Sequence, residues 1–279
     1  QVGDQILEAL YPDTIYGKES GGDPYDIPSL TYEAFLDFHK KLYHPSNSSI
    51  FIYGNGDIES FMAHIENNYL AGYERLDVDS SIAWQDAFAA AKKVETTYSV
   101  AQDADTEGKD ILAYAVSMGT RKTPKDIYVQ EVLSEVLINA QAGPLKNALL
   151  AAGLGEDISD FSNDGIQIPF GVVAKDTDAA RAGEFEQIVE DTLRQLVRDG
   201  IDKEQLVAAV NRMEYALREA NGYTTRGIIY YIDAMETWLY DGSPFDALCY
   251  NEALSELRRD IDSDYYERYI EEHILNNPH

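Results

Sequence analysis

The run Glu19-Ser20-Gly21-Gly22-Asp23-Pro24 constrains this chain more than any other stretch. Its adjacent glycines can take positive φ and Pro24 removes a backbone donor, so the chain must turn here and no helix can cross. After the turn, Thr31 is placed to cap a helix whose first turn holds Glu33. Phe35, Phe38, Leu42 and Tyr43 recur at helical spacing, which predicts a helix over 31–43 of about three turns. His44-Pro45-Ser46-Asn47 ends it, because a residue before proline is pushed out of the α region. Ile50-Phe51-Ile52-Tyr53 then reads as a buried strand closed by Gly54-Asn55-Gly56.

Around this unit the pattern divides in two. Residues 1–75 give an α/β piece: the end of a helix carrying Ile6, Leu7 and Leu10, the turn, helix 31–43, strand 50–53, and a helix from Ile58 to Tyr69 with Phe61, Met62, Ile65 and Tyr69 on one face. It holds too few strands to stand alone. Residues 76–93, small, acidic and Ala-rich, form a connector tacked down by Trp84 and Phe88.

The second piece, 94–279, opens with expected strands at 94–100 and 110–118. In the latter Leu112, Tyr114, Val116 and Met118 alternate with Ile111, Ala113 and Ala115, so both faces are apolar and helices should cover at least one. Helices over 125–139 and from Pro144 to Ala152 stop at Gly153-Leu154-Gly155. Strands at 157–162 and 166–174 flank Asn163-Asp164-Gly165, whose residue types suit the positive φ of a tight hairpin. Helices are expected over 179–199, 203–220, 225–240, 245–258 and 263–275, with breaks at Gly200, Gly222 and 241–244.

With 279 residues, 44% of them hydrophobic, the chain can bury a sizeable core, and no apolar run approaches the length of a membrane span. Fifty acidic against 22 basic side chains leave a net charge of -28, which repels nucleic acid and anionic membrane but permits cationic peptides. A single cysteine, Cys249, excludes an internal disulfide and suits a reducing compartment, the cytoplasm or an organellar matrix; a lone thiol is expected to be buried as a small apolar residue. Gln1-Val2-Gly3 runs straight into a helical pattern with no cap, as if a helix had been cut, so the chain reads as a fragment of a longer protein.

The order of turn, helix, HPSN, apolar strand and Tyr53-Gly54-Asn55-Gly56-Asp57 resembles the pitrilysin-like (insulinase-superfamily) metallopeptidases. The spellings of Ser20-Gly21-Gly22-Asp23-Pro24 and His44-Pro45-Ser46-Asn47 bring it closest to the presequence-protease-like subfamily. Gly143-Pro144-Leu145 and Gly153-Leu154-Gly155 extend the resemblance across most of the chain. It implies an α+β fold in two α/β pieces, with largely antiparallel sheet covered by helices and a helix-rich C-terminal half. The first piece would be the end of the catalytic domain; the second would be a non-catalytic domain lacking its last strand, which would begin where Asn277-Pro278-His279 stands.

Zinc proteolysis requires two imidazoles one helical turn apart, a glutamate to activate water and a third ligand. In the resembled family the set is an inverted HxxEH with a downstream glutamate. The five histidines here, His39, His44, His64, His273 and His279, include no pair at i and i+4. His39 and His44 read as surface or capping residues. Tyr269-Ile270-Glu271-Glu272-His273 has a phenol where the first ligand would stand, and the family glutamate falls before Gln1, too far back for Glu8 to take its place. Ser80, Ser81 and Cys249 have no histidine at a motif spacing, no GxSxG or phosphate loop occurs, and Asp157, Asp160 and Asp164 do not space as a calcium loop.

No catalytic or metal residue is therefore expected in the chain, and Ser20, Gly21, Gly22, Asp23, Pro24, His44, Pro45 and Asn47 are expected to be structural. The resemblance implies a zinc-dependent metalloendopeptidase that degrades unfolded peptides in an enclosed chamber, with this part as wall and support and the zinc held elsewhere in the parent protein. Its partners would be unfolded or cationic peptides and the parent's other domains. The alternatives are a non-catalytic pitrilysin-like structural or partner subunit and a free-standing peptide-binding module.

Overall fold

The structure, a computed structural model, describes residues 2–219 and 225–279. The expected break at Gly222 lies outside them. Helix α1 spans Val2–Leu10, α2 Tyr32–Leu42 and α3 Ile58–Ile65, the last extended by a wide turn to Leu70 in which Ala71 N donates to Glu66 O at 2.9 Å. Thr31 caps α2 as its sequence position requires, its hydroxyl accepting from Ala34 N at 3.1 Å.

Residues 48–57 and 71–109 form neither helix nor strand, so the expected strands at 50–53 and 94–100 are absent. A strand needs a partner ladder to satisfy its backbone, and no described strand pairs with Ile50–Tyr53. That stretch instead leans on a later helix: Phe51 meets Tyr231 with ring centroids 5.7 Å apart, and Tyr53 meets Tyr230 at 5.4 Å. Accordingly α2 and α3 bury no residue, and Phe35, Phe38 and Phe61 remain exposed.

The second piece is built on a three-stranded antiparallel sheet, β1 Asp110–Thr120, β2 Asp157–Phe161 and β3 Gln167–Thr177, in the order β1-β3-β2. Between β1 and β2 lie α4, Pro124–Ser134, continued by a wide turn to Asn139, and α5, Pro144–Ala151. Thr123 and Asp126 form a reciprocal capping box at the start of α4, with Pro124 at its first position. Gly155 has φ +94°, and a Cβ there would stand 2.8 Å from Lys175 O, so the stop before β2 requires glycine.

β2 and β3 pair as expected, Asp157 opposite Lys175 through Phe161 opposite Gly171. Their connection differs from expectation, because none of Asn163, Asp164 and Gly165 has positive φ. β3 begins beyond the end of β2, pairing there with β1 alone, and a two-residue turn cannot span that offset. The Asn163 side chain supports the longer connection by accepting from Gly165 N at 3.0 Å.

Among the described residues five helices follow: α6 Ala182–Asp199, α7 Lys203–Glu219, α8 Arg226–Trp238, α9 Asn251–Asp260 and α10 Tyr265–Ile270, which continues as a wide turn to Leu275. The fourth starts six residues later than its periodicity suggested, because the Ala247 carbonyl accepts from the Tyr128 hydroxyl at 2.9 Å and residues 244–248 turn.

The alternation in β1 is used on both faces. Leu112, Tyr114, Val116 and Met118 join the main core with Ile168, Phe170, Val172 and Ala174 of β3 and the inner faces of α4–α7, α9 and α10. Ile111 and Ala115 pack with Val173 and Phe161 under Ile6, Leu10 and Tyr11, so α1 roofs the opposite face. The chain's last residues lie along β1, with Ser117 N donating to His279 O at 2.7 Å.

Candidate functional site

The two motifs that carry the sequence resemblance sit at opposite ends of α2, whose eleven residues rise about 16 Å. In the first, Gly22 has φ +83° while Gly21 does not; Gly22 N donates to Glu19 O at 3.1 Å, Gly21 N to Glu19 Oε1 at 3.2 Å, and Asp23 Oδ1 accepts from Tyr25 N at 2.7 Å. Ser20 and Pro24 are exposed. In the second, His44 caps a single turn over Pro45–Asn47, its Nδ1 accepting from Ser46 N at 3.1 Å. Asn47 Nδ2 donates to Leu42 O at 3.0 Å, its Oδ1 accepts from Ser80 Oγ at 2.6 Å, and Ser46 Oγ accepts from Leu76 N at 3.0 Å. HPSN thus closes α2 and pins the start of the connector.

Further along, Gln85 is the connector's buried anchor. It exchanges side-chain and main-chain hydrogen bonds with Gln167, at 2.7 and 3.0 Å, and its side chain bonds Asp13. Phe88 packs on His279 at 4.1 Å as a tack, whereas Trp84 is half exposed, with Lys122 Nζ 6.0 Å from its ring.

The histidines do not converge. His39 stacks between Phe35 and Tyr43, His64 lies beside Asn68, His273 packs on Tyr269, and buried His279 contacts Leu10 O through Nε2. Among the described residues no group of three or more His, Cys, Asp or Glu side chains could hold a metal ion. Asp157 is paired with Lys175 at 3.0 Å, apart from Asp164, which stands 3.8 Å from Arg121. Cys249 is exposed, contrary to the expected buried thiol, because the turn before α9 carries it out of the core.

The chemistry that sequence reading missed lies in a crevice of about 360 Å³ between α4, α7, α8 and the turn at 247–250. Met213, Leu217, Ile229 and Leu248 give it apolar walls, Tyr230 and Tyr250 add phenol rings, and Glu131 and Asp233 supply two carboxylates. α4 carries Glu131 amid Ile127, Tyr128, Val129, Gln130, Val132, Leu133 and Ser134, all buried; an acid interrupting so apolar a run is the signal that could have revealed it. Glu131 is an exposed residue at the mouth of the crevice, and neighbouring protein atoms displace part of the water around its carboxyl. That desolvation, reinforced by Glu236, pushes its carboxyl up from 4.5 to about 7. Desolvation likewise lifts Asp233 to about 6, with Asp164 adding to it.

Neither carboxylate has a hydrogen bond or ion pair among the described residues. The nearby cation, buried Arg121, is committed elsewhere, donating to Glu236 Oε2 at 3.0 Å and to Asn163 O at 2.9 Å. The crevice is therefore lined by two carboxyls that no described cation pairs with directly, Arg121 acting on Glu131 only through space.

Comparison with known proteins identifies the scaffold. The family model "Peptidase M16 inactive domain" matches residues 29–213. The chain belongs to this family of M16 peptidase inactive domains. Membership agrees with the resemblance to pitrilysin-type peptidases carried by the motifs around α2. Protein HypA of Clostridium perfringens is 42% identical over 99% of the chain and 28% of its own length. Presequence protease 1, chloroplastic/mitochondrial, of Arabidopsis thaliana is 34% identical over 98% of the chain and 26% of its own length. The chain thus spans about a quarter of the relatives it matches. The crystal structure of a peptidase M16 inactive domain from Pseudomonas fluorescens superposes with a TM-score of 0.65, covering 99% of this chain and 62% of that one at 17% identity, a likeness of fold. Among the described residues, no helix is long and apolar enough to cross a membrane.

Proposed function

We propose that this M16 inactive domain is one part of a larger zinc-dependent metalloendopeptidase that degrades unfolded peptides inside an enclosed chamber, and that it supplies wall and support. The observation that carries this reading is the conjunction of family membership with histidines that do not converge: among the described residues no set fits a zinc ion, and the reading assigns the ligands to other parts of the parent protein. The exposed apolar faces of α2 and α3 support it, since surfaces of that kind are covered by other domains of the parent. Residues 1–75 belong with the catalytic domain, 76–93 join, and 94–279 form the second, non-catalytic domain. Unfolded cationic peptides are the substrates that a charge of -28 favours, in the reducing setting of a cytoplasm or organellar matrix.

The test uses the full-length protein and this chain in parallel. The full-length protein is expected to cleave unfolded peptides, to lose activity to a chelator and to regain it with zinc, while the 279-residue chain retains no stoichiometric zinc after dialysis. One tightly held zinc per chain would place a metal site here and overturn the support role. A full-length protein that holds no zinc and cleaves nothing would overturn the enzymatic reading.

A further inference from the structure

We infer that the crevice between α4, α7 and α8 is a subsite for one basic side chain, lysine or arginine, of an extended peptide. The inference rests on the reading of this domain as a peptide-facing wall and adds where, and by which residues, positive charge is recognised.

Three observations converge. The crevice, at about 360 Å³, is sized for a single long side chain with some water rather than for a folded partner. Its walls are of two kinds, as an amphipathic cationic side chain requires. Met213, Leu217 and Ile229 can cover an aliphatic stem, while Tyr230 and Tyr250 offer ring faces and hydroxyls to an ammonium or guanidinium group. Finally, Glu131 and Asp233 line it without an ion pair among the described residues, and Arg121, the cation that could have served them, is bound to Glu236 and Asn163 O.

A partly desolvated carboxylate costs stability when ionised without a partner. An incoming cation supplies that partner, and its charge-assisted hydrogen bonds form where surrounding protein weakens solvent screening. An uncharged side chain of the same shape would gain the apolar contacts alone. The subsite therefore discriminates by charge rather than by size.

The experiment measures binding of a fluorescent extended peptide with one central arginine, and of the same peptide with citrulline, its uncharged near-isostere, to the full 279-residue chain. The arginine peptide is expected to bind about tenfold more tightly, the ratio that about 1.4 kcal/mol of charge-assisted contact gives. Glu131→Gln should remove most of that preference and Asp233→Asn part of it. Glu204→Gln, the same charge change on an exposed position of α7, should leave it intact. Circular dichroism of each variant checks that it is folded. Equal binding of the two peptides, or an arginine preference that survives Glu131→Gln, overturns the subsite while leaving the wall reading standing; absence of binding by either peptide overturns both.

Discussion

Gly22 and Gly155 carry backbone conformations that side chains resist. At Gly22, φ +83° in an exposed turn means that Gly22→Ala is expected to destabilise by about 1 kcal/mol in urea unfolding, whereas Gly21→Ala, with only the flexible Glu19 carboxylate 3.3 Å from the added carbon, should be close to neutral. Gly155→Ala should cost more than either, because its Cβ would meet a main-chain oxygen that cannot move aside. Glu131 is a residue of a different kind. Its carboxyl is raised from 4.5 to about 7, so the folded state holds the proton more tightly than the unfolded chain does. The stability this brings is complete below pH 4.5 and is lost as pH rises to 7. Glu131→Gln should flatten that fall and raise the urea midpoint at pH 8 relative to the parent, and an unchanged slope would mean that crevice water screens the charge fully.

At the scale of elements, most helices were legible because their apolar positions repeat along one face and their ends carry Thr, Pro or Gly signals. The β1 pattern, apolar on both sides, also announced a sheet covered on at least one face, and the structure adds a second cover in α1. Strand 50–53 was misread for a physical reason: four apolar residues specify an extended segment, but whether it becomes a strand depends on a neighbour that sequence does not reveal. The crevice was equally invisible, since Glu131, Met213 and Asp233 come together only when α4, α7 and α8 pack. The α1–sheet contact can be tested directly. Leu10→Ala should cost about 2–3 kcal/mol, the lower part of the range for a buried leucine, because the site lies at the edge of a small cluster. A loss comparable to that of a surface substitution would show that α1 rests loosely on the sheet.

For the whole molecule, two expectations concern the connector and the charge. Residues 71–109 lack regular structure, yet Gln85 is clamped between Asp13 and Gln167. Limited proteolysis should therefore cut on either side of that clamp, within 76–82 and 89–109, before it cuts the helices after α6, and first cuts in α7 or α8 would move the joint proposed between the two pieces. In the full-length protein, capture of a basic peptide should slow as screening shortens from about 30 Å at about 0.01 M salt to about 10 Å at about 0.1 M, while a neutral peptide of equal length is barely affected. Parallel salt dependences of kcat/KM would place the acidic residues on the outer surface, where they serve solubility.

The roofing of the sheet by α1 also sets an order in time. β2 and β3 are near neighbours in sequence, the nearest β1–β3 pair, Thr120 with Gln167, is 47 residues apart, and α1 meets the sheet through a small cluster of its own. The Tyr11–Ser117 hydrogen bond, by contrast, joins residues 106 apart. Docking of α1 thus belongs to the end of folding and its release to the beginning of unfolding. In native-state hydrogen exchange, the amides of residues 6–10 should open at a lower free energy than those of β3, leaving one face of an intact sheet briefly bare.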